Sequence, residues 1–220
     1  MANQDSFVTE VSDEVRRDKL YRLMRRYGWI AILAVVLLVA GAAFIEWRKA
    51  RDAAEAQAFG DEILAALSGA DDAARAEAMA ALPAREEPTR RAIQGLLAAS
   101  AQSEAGNADA ARATLEALAA DTAVPQIYRD IALLKSVMVS AGTVAPADRV
   151  ASLQPLLAAG NPLRLLALEQ RAFAEVETGE TEAAIATLRG ILADAEVTED
   201  LRVRATQLIV ALGGTPEAQG

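Results

Sequence analysis

Two stretches of this chain, Glu104-Ala105-Gly106-Asn107-Ala108-Asp109-Ala110-Ala111-Arg112-Ala113-Thr114-Leu115 and Glu177-Thr178-Gly179-Glu180-Thr181-Glu182-Ala183-Ala184-Ile185-Ala186-Thr187-Leu188, are two writings of one pattern. The match continues through Ala120-Asp121 and Ala193-Asp194 to Val124 and Val197, at a constant offset of 73 residues. That offset is close to two units of a ~34-residue helix-turn-helix repeat, with one divergent unit between the two legible ones. Within each stretch a turn glycine (Gly106, Gly179) is followed five residues later by alanine (Ala111, Ala184) and four further on by leucine (Leu115, Leu188). Alanine lets two helices approach closely, and leucine one turn later fills the layer between neighbouring pairs. These six residues are the expected packing positions of the repeat.

Working outward, helical patterns alternate with short breaks at Gly69, Pro83 with Pro88, Pro125, Gly142 with Pro146, and Gly160-Asn161-Pro162. Asn161 and Pro162 read as the cap and first turn of a helix opening at Leu163-Arg164. Pro155 fits either the first turn of a helix or a kink in one. Gly190 reads as a packing glycine rather than a stop.

The composition agrees with an all-helical reading. Of 220 residues 53% are hydrophobic but only 4% aromatic, and alanine alone makes up about a quarter, which favours helix over strand. With no cysteine and no histidine the chain lacks the usual zinc or haem ligands, a thiol nucleophile, a disulfide framework and a histidine-based triad. No phosphate-binding motif is present either, so no enzymatic activity, cofactor, metal or small-molecule substrate is expected. The acidic pairs Asp71-Asp72 and Glu86-Glu87 fit helix starts and loops better than acid–base chemistry. The formal net charge is −9; residues 1–27 carry six bases against five acids and so contribute +1, leaving −10 for the remainder. Such an acidic body does not suit nucleic acid as a partner.

Ahead of the repeats, residues 28–45 contain no charge, and the flanking aromatics extend the apolar run to about the 20 residues that a membrane-spanning helix needs. Tyr27, Trp29 and Trp47 sit where interfacial anchors form, in contact with membrane lipids. Six cations precede the run and three (Arg48, Lys49, Arg51) follow it, which places the N-terminus in the cytosol and everything beyond Trp47 on the far side of the membrane. Ala40-Gly41-Ala42 offers a signal-peptidase-like pattern, but the charged leader and the apolar run are both long for a signal peptide, so an uncleaved anchor is the preferred reading. Before the span, Ser12 reads as an N-cap with Asp13 and Glu14 in the first turn of a basic amphipathic helix. Its Arg16, Arg17, Arg22, Arg25 and Arg26 would serve lipid contact or cytosolic docking. After it, residues 46–67 read as a continuous helix ended by Ser68-Gly69.

The expected organisation is therefore a cytosolic helix (1–27), a transmembrane helix (28–47), a stalk helix (48–69), a repeat domain (70–214) and a disordered tail (215–220). Stacked helix pairs form an α-solenoid whose inner face is lined by the first helix of each pair, here near 90–104, 126–140 and 163–177. Gln94, Tyr128, Lys135, Arg164, Arg171 and Glu175 are the residues available to that groove.

The repeat pattern resembles the tetratricopeptide repeat, in divergent form, with Gln102 and Glu175 where that family usually has an aromatic residue. The full length, from Phe7-Val8-Thr9-Glu10-Val11-Ser12-Asp13-Glu14-Val15-Arg16-Arg17-Asp18-Lys19-Leu20 through Arg25-Arg26-Tyr27-Gly28 and the span, resembles the bacterial membrane-anchored tetratricopeptide family known as ancillary subunits of the Sec translocon. Further landmarks are Tyr128-Arg129-Asp130 and Gly160-Asn161-Pro162-Leu163-Arg164, although the tryptophan expected near Leu163 is absent. The resemblance implies a periplasmic domain that binds the translocon, periplasmic chaperones or an emerging chain. The composition, rich in alanine and in arginine over lysine, suits a high-GC proteobacterium such as an alphaproteobacterium. An accessory or assembly subunit of another inner-membrane complex, respiratory or photosynthetic, is the alternative that the same span and basic helix allow.

Overall fold

A computed structural model describes residues 4–216, and of residues 4–23 and Ala31 the backbone only. The expected tail beyond residue 216 and the side chains of Arg16, Arg17 and Arg22 lie outside the described residues. The described chain is all helical, with no strand. It divides into two compact units, one ending at Asp61 and the other beginning at Glu62.

The first unit is made by α1, Gln4–Leu67, a single helix of 64 residues. It opens eight residues before Ser12, which is therefore a helical residue and not a cap. Nothing between Asp5 and Val11 is a glycine or a proline, so no local signal stops the helix from growing back to Gln4. The stretch Met24–Leu67 is long and apolar enough to cross a membrane, by length and composition. Tyr27, Trp29 and Trp47 are all exposed on it. The Arg26 guanidinium lies 5.8 Å from the Tyr27 ring centroid and that of Arg51 lies 5.9 Å from the Trp47 ring, so two of the three aromatics have a cation beside them.

The second unit takes in the end of α1, where Ile63 and Ala66 are buried and Arg85 pairs with Glu62. It continues with α2 (Asp72–Ala81), α3 (Pro88–Glu104), α4 (Ala108–Ala120), α5 (Gln126–Val139), the short α6 (Pro146–Ser152), a 3-10 helix (Gln154–Leu157), α7 (Arg164–Glu177), α8 (Thr181–Leu192) and α9 (Glu199–Ala211). Each helix packs chiefly on its neighbours in sequence, and α3, α5 and α7 also touch in succession. Asp71 caps α2 by accepting from the Ala74 N–H (2.8 Å), and Glu87 caps α3 by accepting from Thr89 (2.9 Å) and Arg90 (2.7 Å). The acidic pairs thus include two helix starts. Pro155 sits in the first turn of the 3-10 helix.

Two sequence expectations change in detail. The cap of α7 is Leu163, while Asn161 closes a turn before it, its Oδ1 accepting from the Leu163 N–H (2.8 Å) and its Nδ2 donating to Asp130 (2.9 Å). Gly190 does lie inside α8, yet a Cβ there would meet nothing within 4 Å, so it is not a packing glycine.

The 73-residue repetition is physical. The end of α3 is closed by bonds from Gly106 N–H to Ser103 (3.0 Å) and Asn107 N–H to Gln102 (2.8 Å), and the end of α7 by the equivalent bonds from Gly179 to Val176 (3.0 Å) and Glu180 to Glu175 (2.8 Å). Both glycines have φ near +79°, where an L side chain is strained. Ala111, Leu115, Ala184 and Leu188 are wholly buried. Side chains repeat too: Thr114 donates to Gln102 (2.9 Å) as Thr187 donates to Glu175 (2.8 Å). Arg91 pairs with Asp121 (3.0 Å) as Arg164 pairs with Asp194 (2.5 Å). Helices α3, α5, α7 and α9 all run into a positive-φ glycine, at Gly106, Gly142, Gly179 and Gly213, spaced 36, 37 and 34 residues apart. Between the two matching pairs, α6 and the 3-10 helix stand where a second long helix would be.

Candidate functional site

The residues expected in a groove are dispersed. Gln94 donates to the carbonyls of Leu82 (3.4 Å) and Pro83 (3.2 Å) and so ties α3 to the segment before it. Tyr128 packs against the core formed by α3 and α4. Lys135 is half-buried on α5. Arg164 is held by Asp194, a bond that raises the guanidinium pKa and, with the Glu196 N–H, keeps the Asp194 carboxyl below the usual range. Glu175 is buried and accepts from Thr187 and from Arg171 (2.7 Å).

The structure brings Arg171 and Glu175 together around one opening. It is a cleft of about 280 Å³ whose other walls are Pro146, Ala147 and Val150 of α6 and Thr178 and Glu180 beyond α7. Arg171 and Glu175 there already bond each other.

A second cleft, about 340 Å³, is of a different kind. It opens between α5 and α7 and reaches α9, with Leu134, Met138, Leu166 and Phe173 as its apolar walls and Gln170, Glu169 and Arg204 as its polar ones. On α7, Leu166, Gln170 and Phe173 recur at helical spacing and therefore share one face. Met138 is 50% exposed and Phe173 39%, and Ile127, three turns before Met138 on α5, is also exposed. Large apolar side chains side by side at a surface are the usual mark of an interaction site.

The polar wall is pre-formed. The Glu169 side chain is 7% exposed and takes two bonds from Arg204, Nε to Oε1 at 2.7 Å and Nη2 to Oε2 at 2.9 Å. This forked pair joins α7 to α9 and raises the Arg204 pKa, first through the hydrogen bonds of Glu169. It leaves Gln170 as the uncharged polar group of the cleft, able both to donate and to accept. The arrangement can seat an apolar side chain beside an amide or backbone group; it holds no nucleophile with an adjacent base.

Sequence reasoning picked polar side chains on the inner helices and missed Ile127, Met138, Leu166 and Phe173. The available signal was the recurrence of large apolar residues along α5 and α7 beyond what the cores use: Leu166 packs against the Leu153 and Leu156 cluster, while Ile127, Met138 and Phe173 stay exposed.

No protein-family model, no curated protein and no solved structure matches this chain.

Proposed function

We propose that this chain is a single-pass inner-membrane protein whose helical repeats, divergent tetratricopeptide-like units stacked as a solenoid, bind other proteins on the periplasmic side. The partner class suggested by the sequence resemblance is the Sec translocon and its periplasmic chaperones. The observation that carries the interaction reading is the α5–α7–α9 cleft, where Met138 and Phe173 stand exposed together on successive inner helices. A polypeptide segment with an apolar side chain would bury against them while Gln170 bonds its backbone. The uncharged run of α1 supplies the anchor, and the excess of cations before it supports a cytosolic N-terminus.

The test is crosslinking in native membranes from a photoreactive residue placed at 138 or 173 in the full chain. Capture of a translocon component or a periplasmic chaperone, lost when the other position is changed to glutamate, is the expected result. Recovery of neither overturns the translocon reading. Capture of a respiratory or photosynthetic subunit, dependent on Arg16 and Arg17, would put the accessory-subunit reading in its place.

A further inference from the structure

One side chain in the apolar wall of the α5–α7–α9 cleft carries chemistry that can change in the folded protein. The chain has four methionines and no cysteine. Met1 lies outside the described residues, Met24 belongs to the apolar stretch of α1, and Met79 is 1% exposed in the interior of the second unit. Met138 is the remaining one, and it is 50% exposed. Both tryptophans, Trp29 and Trp47, are on α1, so an oxidant that reaches the second unit meets no cysteine, histidine or tryptophan in competition. An accessible thioether is then the softest nucleophile there.

The surroundings of Met138 make its oxidation state matter. Its thioether shares an apolar wall with Leu134, Leu166 and Phe173, while the other wall of the same cleft holds hydrogen-bond donors. Glu169 takes two of the five N–H groups of Arg204, leaving three, and the Arg204 side chain is 48% exposed. The Gln170 amide supplies two more N–H groups. A thioether is a weak acceptor for them; the oxygen of a sulfoxide is a strong one.

We infer that Met138 is a modification site and a redox switch on this cleft: oxidation to the sulfoxide closes it to apolar occupants and reduction reopens it. The switch rests on the cleft being a seat for apolar side chains, as proposed above. The oxidant is a hydroperoxide. A sulfur lone pair attacks one peroxide oxygen, the S–O bond forms as the O–O bond breaks, and with hydrogen peroxide the proton of the transferred oxygen passes to the leaving hydroxide to give water. Sulfur is oxidised by two electrons and the peroxide reduced by two. In the reverse step a dithiol reductant becomes a disulfide and the oxygen leaves as water. The new S–O dipole is unfavourable against Leu134, Leu166 and Phe173 and favourable against Gln170 and Arg204. With three rotatable bonds the side chain can turn to that polar wall and fill an opening of about 340 Å³.

The experiment uses the full chain in phospholipid bilayer discs. Hydrogen peroxide should oxidise Met138 about tenfold faster than Met79, read by peptide mass spectrometry. The apolar probe is indole, followed by the fluorine NMR signal of a fluorinated phenylalanine at position 173. Indole should shift that signal in the reduced chain; its affinity should fall about tenfold on oxidation and return after treatment with both methionine sulfoxide reductases and a dithiol. In Met138→Leu, a volume-conserving change at an exposed site, indole binding should persist and peroxide should leave it unaltered. A Met138 no more reactive than Met79, an oxidised chain that binds indole as before, or a Met138→Leu chain as sensitive to peroxide as the natural one would each overturn the switch and leave the cleft reading standing. No indole binding by the reduced chain would overturn both.

Discussion

Gly179 and Gly190 lie eleven residues apart and answer opposite questions. The first has φ +79°, which a Cβ disfavours; the second lies in the last turn of α8 with open space around it. Gly179→Ala should therefore destabilise the second unit by about 1 kcal/mol. Gly190→Ala should stabilise it by ~0.5–1 kcal/mol, since alanine is the better helix former. Paired thermal unfolding curves of the two variants check both signs at once. Charge at single residues sets the acid limit. Asp194 and Glu87 have pKa values below the ordinary carboxylate range in the folded chain, through the Arg164 bond and the Thr89 and Arg90 amides respectively. A depressed folded pKa contributes stability above the unfolded value of about 4, lost as the pH falls through the lower folded value. Asp194→Asn should remove part of that acid sensitivity, seen as a flatter dependence of the urea midpoint on pH below 4.

At the scale of elements, the hydrogen bond between the two helices of a pair is the tightest comparison the chain offers. Gln102 and Glu175 occupy one place and accept from Thr114 and Thr187 in the same way. Glu175→Gln should therefore be tolerated within about 1 kcal/mol, because the first repeat already works with the amide. Thr187→Val should cost ~1–2 kcal/mol by leaving a buried carboxylate oxygen without its donor. Leu188→Ala, which opens a cavity in a fully buried layer, should cost about 3 kcal/mol; chemical denaturation measures all three. Helix boundaries, the turn glycines and the alanine–leucine layer were readable because each depends on residues within one turn of one another. The outward faces were not. Arg164 and Glu175 read as groove residues by charge, yet their partners Asp194 and Thr187 lie on other elements. Met138 and Phe173 carry no local mark that separates them from core residues, because their exposure depends on how α5, α7 and α9 meet around the cleft. The start of α1 shows the converse: Ser12 has a capping side chain, but a helix with no breaker before it overrides one local preference.

For the whole molecule, the compact second unit begins at Glu62, inside α1. A chain cut to start at residue 70, where the residue pattern alone would divide it, loses the buried Ile63 and Ala66 and the Arg85–Glu62 pair. Compared with a chain cut near residue 54, it should melt several degrees lower, since burial of one isoleucine is worth ~1.5–3 kcal/mol. The core of this unit is also not continuous in weight: one cluster ties α3 and α4 to α5, another ties α7 and α8 to α9, and a smaller one around Leu153 and Leu156 joins them. That uneven distribution has a kinetic meaning. Amide protons of α4 and of α8 should exchange as two separate slow blocks, while those of the seven-residue α6 and the 3-10 helix exchange first. Early exchange there would mark the middle of the chain as a compliant joint, one at which the spacing of α5 and α7 could follow the girth of whatever lies between them.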